Sequence, residues 1–167
     1  FSAEQTKEIG RLVREYLIAN PEVLVEVSAE LEKRRKAEEE AARGQVLSEQ
    51  NDRIFRSPHD FALGKENAKI TVVEFFDYNC GWCKRALTEI NKFTQKNPNV
   101  RVVMKEFPIF GENSQFAAKA ALASKKQGKY WESHQALMNQ RQVTRENTFD
   151  VAKSVGIDVE ALKLEMQ

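Results

Sequence analysis

The chain has 167 residues, of which 41% are hydrophobic and 31% charged, and its formal net charge is +1. These totals are typical of one globular domain with an appendage, and neither half is basic enough to predict nucleic-acid binding. No apolar run approaches the ~18 residues of a membrane span. Two cysteines are too few for a disulfide-stabilised scaffold. Because the chain begins with Phe1 rather than methionine, we expect a mature or trimmed product, from which a secretory signal peptide could have been removed.

The first fifty residues predict two helices and carry eight Lys or Arg against eleven Glu. Ser2 and Gln5 form a candidate capping box for the first helix, which ends before Pro21. The second helix extends from 21 to about 49, and its apolar stripe is too narrow to form a core alone. We expect residues 1–45 to mediate homo-oligomerisation, the alternative being a solvated helix that leans on its own domain.

The rest of the chain predicts a strand, a helix and a second strand, followed by helices. β-Branched and aromatic residues fill 70–76, which is typical of a central buried strand. A helical pattern starts at Trp82, and a second strand covers 100–107, so the two strands should be parallel with a right-handed crossover. Helix caps are predicted later in the chain at Ser114, Asn147 and Asp158 for N-termini and at Gly128 and Gly156 for C-termini.

Four segments follow from these patterns. They are a helical extension at 1–49, a linker at 50–66, a β-α-β unit with the cysteine pair at 67–113, and a helical segment at 114–167.

Both cysteines lie in the stretch FFDYNCGWCKRA. Cys80 falls at the predicted strand-to-helix junction, where free N–H groups and the helix dipole stabilise an anion. A thiol in such a place can have a pKa far below its usual ~8.5. Because the thiolate attacks in thiol–disulfide exchange, Cys80 is the predicted nucleophile and Cys83, one turn deeper, the resolving thiol. Gly81 and Trp82 are expected to tune the stability of the thiolate.

Other interpretations of the pair stay open. A structural zinc site needs four ligands, and the only histidines, His59 and His134, are expected to be surface or cap residues. Inert buried thiols are disfavoured at a helix start. A non-catalytic thiol module that binds copper(I) or zinc is a further alternative, and so is a cytosolic reductase. We expect neither a cofactor nor a bound metal.

Glu74 is the only charge in ITVVEFF, six residues before Cys80. A carboxylate in a buried strand is costly unless it is paired or protonated. We predict a buried acid beneath the dithiol that relays protons for Cys83, with Lys105 of the neighbouring strand as a candidate partner. The alternative is an exposed position on an edge strand.

Three segments, TVVEFFDYNCGWCK, VVMKEFPIFGENSQFAAKAALAS and GKYWESHQALM, resemble the DsbA-like branch of the thioredoxin superfamily, in particular its ScsC-like members with an N-terminal helical extension. The resemblance covers about residues 60–167. It implies an α/β thioredoxin-like fold in which 114–167 is a helical insertion, Cys80 the nucleophile, Cys83 the resolving cysteine and Glu74 the buried acid. The family's fold continues with a cis-proline loop, two strands and a last helix, so we expect this sequence to be truncated after the insertion.

The resemblance implies a periplasmic thiol–disulfide oxidoreductase whose partners are secreted proteins with disulfides and a membrane protein that resets the pair. The N-terminal helices favour a disulfide isomerase, because an oligomer with several sites raises the local concentration of thiols around one client. A DsbA-like dithiol oxidase is the alternative within the class.

Overall fold

The computed structural model describes all residues, 1–167, and divides into two compact units, Phe1–Asn51 and Asp52–Gln167. The first unit contains α1 (Ala3–Ala19) and α2 (Glu22–Glu49). The predicted capping box at the start of α1 is confirmed, because the Ser2 hydroxyl accepts from the next turn and the side chain at the third helical position accepts from the Ser2 N–H.

Neither helix of the first unit contains a buried residue. Most apolar side chains of both stripes are solvent-exposed, with Leu12, Val27 and Leu31 each more than half accessible. Ion pairs one turn apart, such as Arg34–Glu30 at 3.0 Å, favour the helical state in the charged part of α2. The first unit therefore has two well-formed helices but no hydrophobic core of its own.

The second unit combines a small sheet with a larger number of helices. Its elements are α3 (Asn51–Phe55), β1 (Phe61–Leu63), β2 (Ile70–Phe76), α4 (Gly81–Lys96), β3 (Val100–Glu106), α5 (Glu112–Ala123), a 3₁₀ turn (Ser124–Gln127), α6 (Tyr130–Met138), α7 (Arg145–Ser154) and α8 (Val159–Glu165).

The sheet has the strand order β1-β3-β2. The predicted parallel pair is confirmed, with Val72 of β2 opposite Val102 of β3. The central strand is β3, whose Val102, Val103 and Met104 are fully buried, whereas β2 lies at the edge of the sheet within 1–167. The expectation that 70–76 is a central buried strand was therefore wrong, because β2 pairs with a strand on one side only and Phe76 is its one buried residue.

The segment predicted as a linker, 50–66, contains α3 and β1 instead of irregular chain. β1 pairs antiparallel with β3, and Phe61 lies opposite Met104. A strand of three residues is too short to show an alternating pattern, so only its pairing with β3 defines it. The ring of Phe61 also stacks on Tyr130 at 4.7 Å, which brings this segment into the core.

Two of the predicted helix caps were wrong, one because of a distant partner and the other because of a capping box within the same turn. Ser114 lies inside the first turn of α5, where it is buried and donates to Asp77. α7 is capped by Thr144, while Asn147 is the third helical residue of a capping box. Asp158 caps α8 as predicted. Gly128 follows the 3₁₀ turn in the left-handed conformation, and Gly156 has a positive φ after α7, as expected for helix ends.

Candidate redox-active dithiol site

Cys80 lies between the end of β2 and the start of α4. It is the N-cap of α4, with φ −79° and ψ 115°, and its own N–H donates to the Asp77 carbonyl at 3.1 Å. The Cys80 carbonyl already accepts the first helical hydrogen bond, from the Lys84 N–H at 3.1 Å. This geometry places the sulfur beside the unpaired N–H groups of the first helical turn, where an anion is stabilised.

The two thiols have opposite protonation tendencies. The backbone N–H and the thiol of Cys83 lower the pKa of Cys80, and the N–H of Trp82 lowers it further. Partial burial and the charge of Asp77 act in the opposite direction and raise this pKa. Burial raises the pKa of Cys83 to about 11, and the charges of Cys80 and Glu74 add to the increase. Both are free thiols with partial exposure, and Cys83 packs against the main core. The site therefore combines one thiol that ionises more readily than usual with one protonated, shielded thiol.

Gly81 and Trp82 separate the two cysteines on the surface of the first turn of α4. The Trp82 indole is 76% exposed, and the Arg85 guanidinium lies 4.7 Å from the centre of its ring. A Cβ added at Gly81 would meet no atom within 4 Å. The dipeptide leaves the Cys80 sulfur open to a partner, and its contribution to the thiolate comes through the Trp82 N–H rather than through side-chain packing.

Glu74 lies on β2, opposite Met104, and is partly buried. Burial raises the pKa of Glu74, and its charge in turn raises the pKa of Cys83, so the carboxylate and the resolving thiol are electrostatic neighbours.

The expectation that Lys105 is the partner of Glu74 was wrong. Lys105 forms an ion pair with Asp60 and donates to the Arg53 carbonyl, since it follows Met104 and projects from the opposite face of β3.

Asp77 connects the loop before Cys80 to the rest of the second unit. It is 3% exposed, and its carboxylate accepts from the Asn79 N–H at 2.7 Å and the Ser114 hydroxyl at 2.7 Å. It also accepts from the N–H groups of Ile109 and Phe110 at 2.8 and 2.9 Å. Sequence reasoning did not identify Asp77, because its donors lie up to 37 residues away. The signal that could have found it is a run of polar residues immediately after a buried strand.

An Asp77→Asn variant will be less stable by about 2–4 kcal/mol, because an amide nitrogen faces two of the four donors and leaves them unpaired in a buried site. The pKa of the Cys80 thiol will fall further, since the Asp77 charge opposes the thiolate. Chemical denaturation and the ultraviolet absorbance of the thiolate measure the two effects. Asp150→Asn, an exposed change on α7, is the control. An unchanged stability would contradict the role given to Asp77.

A second buried cluster lies at the end of β3 and was not predicted from the sequence. The Glu106 carboxylate accepts from the hydroxyls of Tyr78 at 2.7 Å and Tyr130 at 2.9 Å, and its second oxygen has no partner. Burial raises the pKa of Glu106 to about 8.

The expectation that His134 lies at the surface was wrong. It is 1% exposed, its Nδ1 lies 3.3 Å from the Tyr78 hydroxyl, and burial lowers its pKa to about 4.

A small mixed sheet that places a Cys-x-x-Cys pair at the start of a helix is the arrangement of a thioredoxin-like domain with a dithiol site. The chain belongs to the family of DSBA-like thioredoxin domains, whose family model matches residues 71–167. Residues 5–38 match a second family model, described as the copper resistance protein ScsC N-terminal domain. The ScsC-like resemblance expected from the sequence is therefore confirmed, and so is the thioredoxin-like fold class.

Solved structures of bacterial proteins resemble this chain. A thioredoxin-like oxidoreductase from Silicibacter pomeroyi is 45% identical, with a TM-score of 0.67 over 69% of this chain and 67% of its own. A linker-deletion variant of Proteus mirabilis ScsC is 30% identical, with a TM-score of 0.70 over 99% of this chain and 80% of its own. A periplasmic thioredoxin-like protein from Salmonella enterica serovar Typhimurium is 28% identical, with a TM-score of 0.61 over 70% of this chain and 74% of its own.

Curated relatives are longer than this chain. A Na(+)/H(+) antiporter NhaA 3 from Salinispora tropica is 33% identical over 81 residues, which are 47% of this chain and 12% of the antiporter. The chain thus spans about an eighth of the length of that relative. None of the helices described here combines the length and the apolar character needed to cross a bilayer.

Proposed function

We propose that this protein is a periplasmic thiol–disulfide oxidoreductase of secreted proteins and that, within this class, it is a disulfide isomerase. The observation that carries the proposal is the contrast between a Cys80 thiol with a lowered pKa and a Cys83 thiol with a pKa raised to about 11. Membership of the DSBA-like family supports redox chemistry at this pair. The Salmonella neighbour described as periplasmic supports the compartment.

The proposed reaction begins when the Cys80 thiolate attacks one sulfur of a client disulfide. A mixed disulfide forms, and the other client sulfur leaves as a thiolate. If that thiolate attacks a second client disulfide and the new thiolate then attacks the mixed disulfide, Cys80 is released without net electron transfer. If Cys83 attacks Cys80 instead, the client leaves reduced and the Cys80–Cys83 disulfide forms. A dithiol on a membrane partner would then reduce this disulfide and restore the two free thiols that an isomerase needs.

Glu74 is proposed to take up the Cys83 proton during the second route. Its raised pKa and its electrostatic effect on Cys83 support this role. A Glu74→Gln variant is expected to slow the release of the mixed disulfide while leaving its formation at Cys80 unchanged. Stopped-flow measurement of the two steps separates them, and equal slowing of both would contradict the role.

Oligomerisation through residues 1–45 is proposed to supply the facing sites that an isomerase needs. A groove on α2 is lined by Val27 and Leu31 with Glu26, Glu30 and Arg34 at its edges. Apolar positions flanked by both charge signs are the pattern of helix–helix association, and the stripe has no partner within the first unit. A second copy of the same helix would bring an equal apolar stripe with both charge signs beside it.

A Val27→Glu/Leu31→Glu variant is expected to be monomeric, because two carboxylates would be buried in the helix–helix contact. Reactivation of a scrambled disulfide protein should fall about tenfold, while reduction of insulin should change less than about twofold. Light scattering gives the mass. Val25→Glu is the matched control, since Val25 lies on the other side of α2 and is 70% exposed. A monomeric wild-type chain, or the same loss in the control, would refute the proposal.

Copper(I) binding by the two thiolates is the second candidate function, favoured by the copper-resistance description of the N-terminal family model. Two soft thiolates can hold one copper(I) ion. No group of three or more His, Cys, Asp or Glu side chains is placed to hold a metal ion, so a four-ligand zinc site has no support. A stable one-to-one copper(I) complex together with no insulin reduction would favour this candidate over exchange.

A further inference from the structure

A groove between α5, the start of α7 and the end of α8 is not used by the proposed redox function. Its volume is about 580 Å³, within the ~300–1,000 Å³ of small-molecule sites. Neither cysteine lines it. None of the side chains that line the groove belongs to the dithiol site, so its chemistry needs its own explanation.

The groove is positively charged. Three cations line it, Lys119, Arg145 and Lys163, against the single carboxylate of Glu112. Of the three cations, only Lys163 forms an ion pair, with Glu160 at 2.8 Å. Arg145 is also the first residue of α7, where the helix dipole adds positive potential. The lining is therefore complementary to an anion.

The groove also has an apolar floor. The rings of Phe116 and Phe149 meet edge to face, with centroids 5.4 Å apart and an interplanar angle of 89°. The Arg145 guanidinium lies 4.6 Å from the centre of the Phe116 ring, and the Lys163 ammonium lies 5.4 Å from that of Phe149. These cation–π contacts hold two of the charges beside apolar surface instead of free in water. Met166 completes the apolar lining.

We propose that this groove binds a small amphipathic anion, a carboxylate or sulfonate attached to a flat apolar body. The acid group would be met by Lys119 and Arg145, and the apolar body by Met166 and the aromatic pair. A simple inorganic anion would leave the apolar floor exposed, and a neutral apolar compound would leave the cations unused. The proposal is independent of the redox activity.

The test uses the methionine methyl groups of the full chain, with naphthalene-2-sulfonate as the probe. The chain has three methionines. Met166 lines the groove, whereas Met104 and Met138 are 1% and 3% exposed in the main core and serve as internal controls. In carbon-13 methyl NMR, the Met166 signal is expected to move saturably while the other two stay in place. An unmoved Met166 signal, or movement of all three, would overturn the proposal.

Variants and analogues define which feature binds the probe. Arg145→Gln and Lys119→Gln are each expected to weaken binding about threefold, while Lys92→Gln, which removes an exposed cation on α4, leaves it unchanged. Naphthalene-2-methanol and methanesulfonate should each bind roughly tenfold more weakly, because one lacks the charge and the other the apolar body. Unmoved Met104 and Met138 signals show that the variants are folded. Equal affinity for the alcohol, or no loss in either groove variant, would refute the site.

Discussion

A Cys83→Ser variant will accumulate a mixed disulfide at Cys80 and will lose catalysed turnover by about a thousandfold. The loss is large because the second thiol acts within the same molecule. Intramolecular attack has effective molarities far above the millimolar concentrations of external thiols that could replace it. The serine hydroxyl has nearly the size of the thiol but cannot attack the Cys80 sulfur under these conditions.

The pKa values of the two thiols explain why the trap forms at Cys80. N–H groups at the start of α4 lower the pKa of Cys80, so this sulfur ionises more readily than that of Cys83. Burial raises the pKa of Cys83 to about 11, so this thiol is protonated at neutral pH and reacts only after the mixed disulfide has formed. The serine hydroxyl can still donate to the Cys80 sulfur in place of the thiol, and the N–H groups of the first turn remain, so the pKa of Cys80 should stay lowered.

Mass spectrometry after exposure to glutathione disulfide measures the trapped adduct, and insulin reduction measures turnover. Cys80→Ser is the matched control, because it leaves only the shielded thiol and should form little adduct at neutral pH. Equal adduct formation in both variants, or wild-type turnover by Cys83→Ser, would contradict the assignment of the two roles.

A Glu106→Gln variant will change how the free energy of unfolding depends on pH. The pKa of Glu106 is raised from 4.5 to about 8 in the folded protein, chiefly by burial. Below about pH 4.5 the carboxyl group is protonated in both states, and its contribution to stability is fully present. As pH rises towards 8, the unfolded chain releases this proton and the folded protein retains it. The wild-type protein therefore loses stability across this window, by about 5 kcal/mol in total.

The glutamine variant has no proton to release, so this loss is absent. Its amide oxygen can still accept from Tyr78 and Tyr130, but its NH₂ group takes the place of an oxygen that has no partner, which costs stability at every pH. The stability of the variant relative to wild type should thus rise steadily between pH 4.5 and 8. The comparison cancels the contribution of His134, whose lowered pKa gives a slope of the opposite sign at acidic pH.

Urea denaturation at several pH values measures this difference. Glu132→Gln, an exposed change on the neighbouring helix α6, removes the same charge and is the control. If the difference between Glu106→Gln and wild type does not vary with pH, Glu106 titrates in the folded protein as it does in the unfolded chain, and the buried cluster has been described wrongly.

The sequence by itself determined the parts of this protein that depend on neighbouring residues. Helix caps at Ser2 and Asp158, the β2-α4-β3 order and the position of Cys80 at a helix start follow from contacts within about four residues, and sequence spacing reports such contacts directly. The asymmetry between Cys80 and Cys83 also follows, because one turn of helix separates an exposed first position from a deeper one.

Only the tertiary structure decided which polar side chains are buried and what they contact. Asp77 accepts from residues more than 30 positions away, and Glu106 meets two tyrosines from the end of β2 and the start of α6. His134 is buried because α6 packs against the sheet, and β1 is a strand because β3 offers it a free edge. The cost of burying a charge and the gain from pairing it depend on the surrounding atoms, and one side chain's identity does not reveal them.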